Sequence, residues 1–134
     1  MVYGQDEFVA PWVQARLPDS RGWQFPATIG ILKDGELIAG LVYHDYTRRS
    51  IQISMASTSP EWCNRRTLKR IFGYPFVQLK VSRITVCTHV NNERMRSLAN
   101  RLGFVQEGVL REGYPDGDMI VYGMLAEEGK KWIC

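Results

Sequence analysis

The sequence is poor in cysteine and histidine. Its three cysteines, Cys63, Cys87 and Cys134, are an odd number, lie far apart and form no C-x-x-C pair. We therefore expect neither a disulfide framework nor a zinc ribbon. The two histidines add no metal-ligand spacing, so no metal site is predicted. Because free thiols persist mainly in reducing compartments, a cytoplasmic location is expected.

Long apolar segments are also missing. No run approaches the roughly 18 residues that cross a bilayer. Residues 1–12 show neither the basic region nor the cleavage site of a secretory signal, so we expect no membrane partner. With 134 residues, 45% of them hydrophobic and 23% charged, the chain falls in the range of one globular domain.

Charge is distributed unevenly along the chain. The net charge is +3, yet the segment from Trp62 to Arg101 contains nine basic residues and a single acidic one, Glu93. A basic middle part predicts an anionic partner, either a phosphorylated cofactor or a nucleic acid. Solvated helix faces are the alternative. The basic residues are Arg65, Arg66, Lys69, Arg70, Lys80, Arg83, Arg94, Arg96 and Arg101.

Local patterns predict an alternation of helices and strands. Asp34-Gly35 lies between two apolar segments and is typical of a tight hairpin. Ser59 and Pro60 are typical of a helix start, and Gly103 of a helix end. The predicted elements are a helix over Gln5–Leu17 with a break at Pro11, strands over Ala27–Lys33, Glu36–Tyr46 and Ile51–Ser57, a helix from Pro60, a strand over Arg83–Val90, a helix to Leu102, and strands over Phe104–Arg111 and Met119–Leu125.

This order predicts an α+β fold of three layers. Three strands form a meander, and a later strand–helix–strand unit requires a right-handed crossover. A mixed, mainly antiparallel sheet flanked by helices follows. We expect one domain over 1–134, with an abbreviated helical part at 1–26, a core at 27–125 and a C-terminal tail at 126–134.

Part of the chain resembles a known enzyme superfamily. The segment Arg83-Ile84-Thr85-Val86 is followed by Asn92, by Leu102-Gly103-Phe104, and by Glu107-Gly108 with Arg111. This run resembles the GNAT superfamily of acyl-CoA-dependent N-acetyltransferases, and within it the branch that acetylates ribosomal-protein alanine N-termini. The resemblance covers about 27–125. The chain is also similar to GNAT-like proteins of phages and prophages.

The resemblance implies a GNAT-like fold and acetyl-CoA as co-substrate. It implies that the coenzyme pyrophosphate lies at the N-terminus of the helix after the third strand, where backbone N–H groups are free. It also implies that the pantetheine arm lies between two strands that splay apart. The implied cofactor-binding residues are Ala56, Ser57, Arg65, Arg66 and Asn92.

The sequence departs from the family pattern at three places. The family's Q/R-x-x-G-x-G/A loop is replaced by 62–67, which contains no glycine, so Arg65 and Arg66 are expected to contact phosphate instead. Ala99 lies where many members have a tyrosine general acid. Gln52 lies where some members have a carboxylate base.

Because the tyrosine acid and the carboxylate base are absent, other residues are expected to carry out acid–base catalysis. His89 and His44 end two strands, and the imidazole of either histidine is a candidate base for an ammonium acceptor. Asp45 is expected on the strand face opposite His44. Tyr114 is expected to orient the amine. Cys87 shares a face with His89 and is interpreted as a structural thiol rather than a nucleophile.

The sequence therefore predicts transfer of an acetyl group from acetyl-CoA to a primary amine by direct attack. The acceptor amine is a protein N-terminus, a lysine or a small molecule, and a homodimer is common in the superfamily. Two alternatives keep the fold. In one, a phage-type protein acts on DNA bases, with the basic segment facing nucleic acid. In the other, a degenerate domain serves as a non-catalytic binding or virion-associated module.

Overall fold

A computed structural model of the chain describes residues 2–3, 6–16 and 27–133. The two predicted end residues of the first helix, Gln5 and Leu17, the predicted loop after it, and Cys134 lie outside the described residues. The elements are β1 (Val2–Tyr3), α1 (Asp6–Arg16), β2 (Ala27–Lys33), β3 (Glu36–His44), β4 (Ser50–Ser57), a 3-10 turn (Pro60–Trp62), α2 (Arg65–Gly73), a π-turn (Tyr74–Gln78), β5 (Arg83–His89), α3 (Glu93–Leu102), β6 (Val105–Tyr114), β7 (Gly117–Leu125) and α4 (Ala126–Ile133).

The seven strands of the described ranges form one sheet in the order β1-β2-β3-β4-β5-β7-β6. Every neighbouring pair is antiparallel except β4 and β5, which are parallel and are joined through α2. The hairpin between β2 and β3 turns at Asp34 and Gly35, which both have positive φ, as a tight hairpin turn requires. The prediction of a mixed, mainly antiparallel sheet with helices around it is confirmed.

Helices cover both faces of this sheet. On one face, Val9 and Val13 of α1 pack against Val42 of β3. Gly40 permits this close approach, since a Cβ there would lie 2.7 Å from Val13. On the other face, α2, α3 and α4 enclose the main core, in which Phe72 is one of the largest buried side chains. Among the described residues, no helix is long and apolar enough to span a membrane.

Two helix predictions need correction. α1 runs through Pro11 without a break, because its two buried valines hold it against β3 and Pro11 is exposed to water. The helix expected from Pro60 begins instead at Arg65. Ser59 caps only the short 3-10 turn, whereas Asn64 Oδ1 accepts the Thr67 N–H at 3.0 Å in a capping box that starts α2.

The C-terminal segment is a helix rather than the expected tail. α4 packs on α2, with the Trp132 ring stacked on Phe72 at 6.3 Å between ring centroids. Trp132 Nε1 donates a hydrogen bond to the Leu102 carbonyl at 2.8 Å. At Gly129, an added Cβ would lie 2.4 Å from the Phe76 ring, so the small residue allows the two elements to touch. α4 therefore closes the core.

Candidate active site

β4 and β5 pair at one end and then diverge. Ser50–Gln52 lies beside Arg83–Thr85, and no further register is formed between the two strands. β4 nevertheless continues its pairing with β3 through Ser57, and β5 continues with β7 through His89. The expected splay between these strands is therefore present. We call the wedge-shaped space between them the strand gap.

The backbone of β4 lines the strand gap. Thr58 N–H donates to the Ile38 carbonyl at 2.8 Å. Because hydrogen-bonding directions alternate along a strand, the backbone groups of Ala56 also point to β3, whereas those of Met55 and Ser57 point into the gap. The Ala56 side chain packs on α1. Of the two predicted β4 residues, Ser57 therefore offers backbone groups to a ligand, and Ala56 forms part of the wall.

The N-terminus of α2 lies beyond the open end of β4. Its first N–H groups have no partner within the helix, as at every helix start. In the loop without glycine, Trp62 is buried, the Asn64 side chain accepts the Thr67 N–H at the helix start, and the Thr67 hydroxyl donates to the Trp62 carbonyl. No residue of 62–67 has a positive φ. Glycine is therefore not required here for backbone conformation.

The two predicted phosphate-binding arginines lie on different flanks of α2. Arg65 Nη2 donates to the Lys131 carbonyl at 3.2 Å, and its guanidinium lies 5.9 Å from the Trp132 ring centroid. Arg66 is exposed and lines two open grooves of about 920 and 520 Å³ beside α2. The structure thus ties Arg65 to α4 and leaves Arg66 exposed beside the first turn.

On the sheet face that carries α2 and α3, apolar side chains fill the space next to the strand gap. The enclosed space among them is about 30 Å³, which is roughly the volume of one water molecule. Its lining includes Met55, Trp62, Val86, Met95 and Leu98. This space is too small for a long ligand, whereas the backbone edges of β4 and β5 beyond Gln52 and Thr85 are not paired with each other.

Asn92 follows the open end of β5. Its Oδ1 accepts the Met95 N–H at 3.1 Å and so caps α3, while its own N–H donates to the His89 carbonyl at 2.9 Å. The amide nitrogen of the side chain is the group that this capping role does not use. In the structure Asn92 is thus a helix cap that follows the last residue of β5.

The structure brings His89 and Tyr114 together at the end of β5. The His89 ring stacks on Tyr114 with 5.5 Å between ring centroids. Its Nδ1 accepts the Asn91 N–H at 3.0 Å, and its Nε2 lies 3.0 Å from Asp116 Oδ1. Because both ring nitrogens have protein partners, the imidazole fastens the β6–β7 turn to the end of β5.

His44 lies at the closed end of the gap, on the face that carries α1. Its Nε2 lies 2.8 Å from Ser54 Oγ, and its Nδ1 lies 3.3 Å from Asp45 Oδ2. Asp45 follows the last residue of β3 with φ of +54°. This left-handed turn directs the carboxylate to His44, so the expectation that the two side chains face opposite ways is wrong. Burial lowers the pKa of His44, with a smaller opposing effect from Asp45.

Two further side chains meet at the same end. Gln52 is the last residue of β4 that pairs with β5, so its side chain lies where the strand gap begins. Its Nε2 donates a hydrogen bond to Cys87 Sγ at 3.7 Å. Burial raises the pKa of the Cys87 thiol, and the charge of Asp45 raises it further. The thiol is thus held protonated, which agrees with a structural role. We call His44, Asp45, Gln52, Ser54 and Cys87 the apex cluster.

Sequence reasoning missed two members of the apex cluster, Ser54 and the inward-turned Asp45. Ser54 has the same parity as Gln52 along β4 and therefore shares its face. The register that sets His44 opposite Gln52 and near Ser54 depends on the loop between β3 and β4. A test of which polar β4 residues share the face of His44 would have found Ser54.

Comparison with curated proteins finds a relative at low identity, and no protein-family model matches. The relative is "Putative ribosomal N-acetyltransferase YdaF" from Bacillus subtilis (strain 168), 27% identical over 112 residues. The match covers 74% of this chain and 59% of that protein. The chain therefore spans less than two thirds of its relative.

Solved structures share the fold. A GCN5-related N-acetyltransferase from Brucella melitensis matches with a TM-score of 0.68 and 20% identity, over 81% of this chain and 54% of that one. A spermidine N-acetyltransferase, the SpeG F149A mutant from Vibrio cholerae, matches with a TM-score of 0.68 and 19% identity, over 88% and 74% of the two chains. These matches show that the chain shares its overall fold with these proteins.

Proposed function

We propose, for a chain that has the fold of the GCN5-related N-acetyltransferases, that it transfers an acetyl group from acetyl-CoA to a primary amine by direct attack. The observation that carries this proposal is the strand gap. It combines unpaired backbone groups of β4 with the N-terminus of α2 at its open end. Both features suit a long thioester ligand that ends in phosphates.

The residues of the gap fit the coenzyme in three ways. Met55 and Ser57 present backbone groups against which an amide-containing arm can pair. The start of α2 presents a positive dipole end and the N–H groups that the Asn64 cap does not use, and exposed Arg66 adds a charge beside them. The Asn92 side-chain amide is a third donor. Bound acetyl-CoA supplies the activated thioester carbonyl.

His44 is the general base of this proposal. Its low pKa keeps the imidazole neutral near pH 7, and Asp45 orients the ring by accepting from Nδ1. Ser54 lies between His44 and the gap, so the amine proton passes to Ser54 Oγ while the Ser54 proton passes to Nε2. Backbone N–H groups in the gap stabilise the negative charge that develops on the carbonyl oxygen.

The acceptor is a cationic amine in this proposal. Asp45 is exposed at the apex cluster and attracts an ammonium group. The names of the relatives suggest two acceptors to assay, a ribosomal-protein N-terminus and spermidine. A cytoplasmic location belongs to the same proposal, because acetyl-CoA is available there. The ribosomal-protein-alanine branch, the phage or prophage similarity and the homodimer stay predictions.

Calorimetric titration with acetyl-CoA and with CoA tests the first step. We expect micromolar binding, and weaker binding of both ligands after Arg66→Ala. A peptide with an N-terminal alanine, and spermidine, are then assayed as acceptors with wild-type protein and with His44→Gln. Absence of binding at millimolar coenzyme would exclude the acetyltransferase. Affinity for duplex DNA that falls steeply with salt would instead favour the nucleic-acid alternative.

A further inference from the structure

Ser54, His44 and Asp45 form a hydrogen-bonded series whose first member is a hydroxyl group beside the strand gap. We propose that Ser54 is an acyl-accepting nucleophile, which gives the protein an activity toward activated esters and thioesters that needs no amine. With an amine bound, the Ser54 hydroxyl relays a proton. Without an amine, its oxygen attacks the acyl carbonyl itself.

The hydrogen positions follow from the partners. The Asp45 carboxylate can only accept, so His44 Nδ1, at 3.3 Å from Oδ2, carries its hydrogen. The Nε2 lone pair then faces Ser54 Oγ at 2.8 Å and accepts the hydroxyl hydrogen. The oxygen keeps its lone pairs for an electrophile. This order of nucleophile, base and orienting carboxylate recurs on unrelated folds in acyl-transfer enzymes.

The position of Ser54 suits this role. β4 and β5 are still paired at Gln52, and Ser54 is the next residue of the same face, at the beginning of the gap. The side chain is half-buried, whereas His44 behind it is only 8% exposed. The N–H of the adjacent Met55 points into the gap, where it can stabilise an oxyanion formed beside Ser54.

The other nucleophile of the apex cluster is less suited. Cys87 Sγ accepts a hydrogen bond from Gln52, whose amide cannot remove a proton. Burial and the nearby Asp45 charge raise the pKa of Cys87, which keeps it a thiol. The apex cluster therefore supplies one base, His44, and that base is hydrogen-bonded to Ser54.

The reaction has two balanced steps. In the first, a bond forms between Ser54 Oγ and the acyl carbon, and the bond from that carbon to the leaving oxygen or sulfur breaks. The Ser54 proton passes to His44 Nε2 and then to the leaving group. In the second, His44 takes a proton from water as the water oxygen attacks the acyl ester. The carboxylic acid is released, and Ser54 Oγ regains a proton from Nε2.

The test uses p-nitrophenyl acetate, which carries no coenzyme portion. The proposal shares Ser54, His44 and Asp45 with the acetyltransferase mechanism, but it does not depend on coenzyme binding. We expect an initial burst of about one equivalent of p-nitrophenolate, followed by slow turnover. Peptide mapping of the quenched protein should place one acetyl group on Ser54.

Variants locate the reaction. Ser54→Ala and His44→Gln should slow the ester hydrolysis about 100-fold. Ser50→Ala, at a serine of the same strand whose hydroxyl lies 2.9 Å from Thr47 Oγ1, should react like wild type. Ser54→Cys keeps a nucleophile, and its adduct should lie on the new thiol even if the alanine variant fails to fold.

An acetyl group found only on lysines or on Cys87, or wild-type hydrolysis by folded Ser54→Ala, would overturn the proposal. So would the absence of both burst and adduct in wild type. Each of these results leaves acetyl transfer to amines standing, because that reaction is assayed separately with acetyl-CoA. Conversely, a Ser54 adduct in a protein that binds no coenzyme would support this proposal and remove the acetyltransferase.

Discussion

Asp45 Oδ2 lies 3.3 Å from His44 Nδ1 although the two residues are neighbours in the chain. In a continuous strand, neighbours point to opposite faces. β3 ends at His44, however, and Asp45 adopts φ of +54°, a conformation that aspartate tolerates better than most residues. The contact is therefore possible because β3 ends at His44, and it fixes the orientation of the buried His44 ring.

Asp45→Asn removes the negative charge of this side chain but keeps its size and shape, so it tests what the charge contributes to the pKa of His44. The Asp45 carboxylate raises the pKa of His44, so Asp45→Asn lowers that pKa further. The acidic limb of the pH–rate profile should move to lower pH, and kcat should fall about tenfold, because the neutral amide no longer stabilises the charged ring and its NH2 group can hold the wrong tautomer. If the acidic limb of the variant lies at the same pH as that of wild type, the general base is a group other than His44.

The same variant should make Cys87 more reactive. The negative charge of Asp45 contributes to the raised pKa of the Cys87 thiol, and its removal lowers that pKa. The rate of alkylation by iodoacetamide at pH 8 should therefore increase, as followed on the peptide that contains Cys87. Glu36→Gln, an exposed carboxylate at the far end of β3, is the control and should leave the rate unchanged.

Acid should destabilise the protein through His44. Its pKa is lower in the folded state than the ordinary value of 6.5, because burial disfavours the charged ring. The stabilisation is thus complete above pH 6.5 and is lost as the pH falls toward the folded-state pKa. Urea midpoints measured between pH 8 and pH 5 should fall for wild type. The decrease should be smaller for His44→Gln, and equal decreases in both proteins would contradict the assignment.

Local signals in the sequence predict the sheet well and the apex cluster poorly. The bounds of β2 match the predicted Ala27–Lys33, because Asp34-Gly35 encodes its own turn. The splay was implied by the family resemblance alone. The apex cluster depends on the β3–β4 register and on one left-handed residue, Asp45, neither of which a short apolar pattern specifies.

The start of α2 shows a second limit of such signals. Ser59-Pro60 and Asn64 are both good caps, and both are used, the first for a 3-10 turn and the second for the helix. A local pattern does not choose between consecutive caps. Trp62 lies between the two caps and is buried in the core. Its burial fixes residues 60–62 as a short turn, so the helix starts at the second cap, Asn64.

Arg65→Ala and Arg66→Ala should affect different properties. Arg65 bonds the Lys131 carbonyl and lies over Trp132, so its loss should lower the free energy of unfolding by about 1 kcal/mol. Arg66 is exposed beside the first turn of α2, so its loss should weaken acetyl-CoA binding about tenfold with little change in stability. Thermal unfolding and calorimetry of the two variants make the comparison. The reverse pattern would place the phosphates on the α4 flank of α2.

Gly129→Ala tests whether α4 is part of the folded core. An added Cβ would lie 2.4 Å from the Phe76 ring, so α4 and the π-turn must separate. We expect a loss of about 1–3 kcal/mol in the free energy of unfolding. Gly73→Ala at the end of α2 is the matched control, because nothing lies within 4 Å of its added Cβ and its φ of −64° suits alanine. That change should stabilise the protein by about 0.5 kcal/mol. Equal stability of the two variants would mean that α4 contributes little to the core.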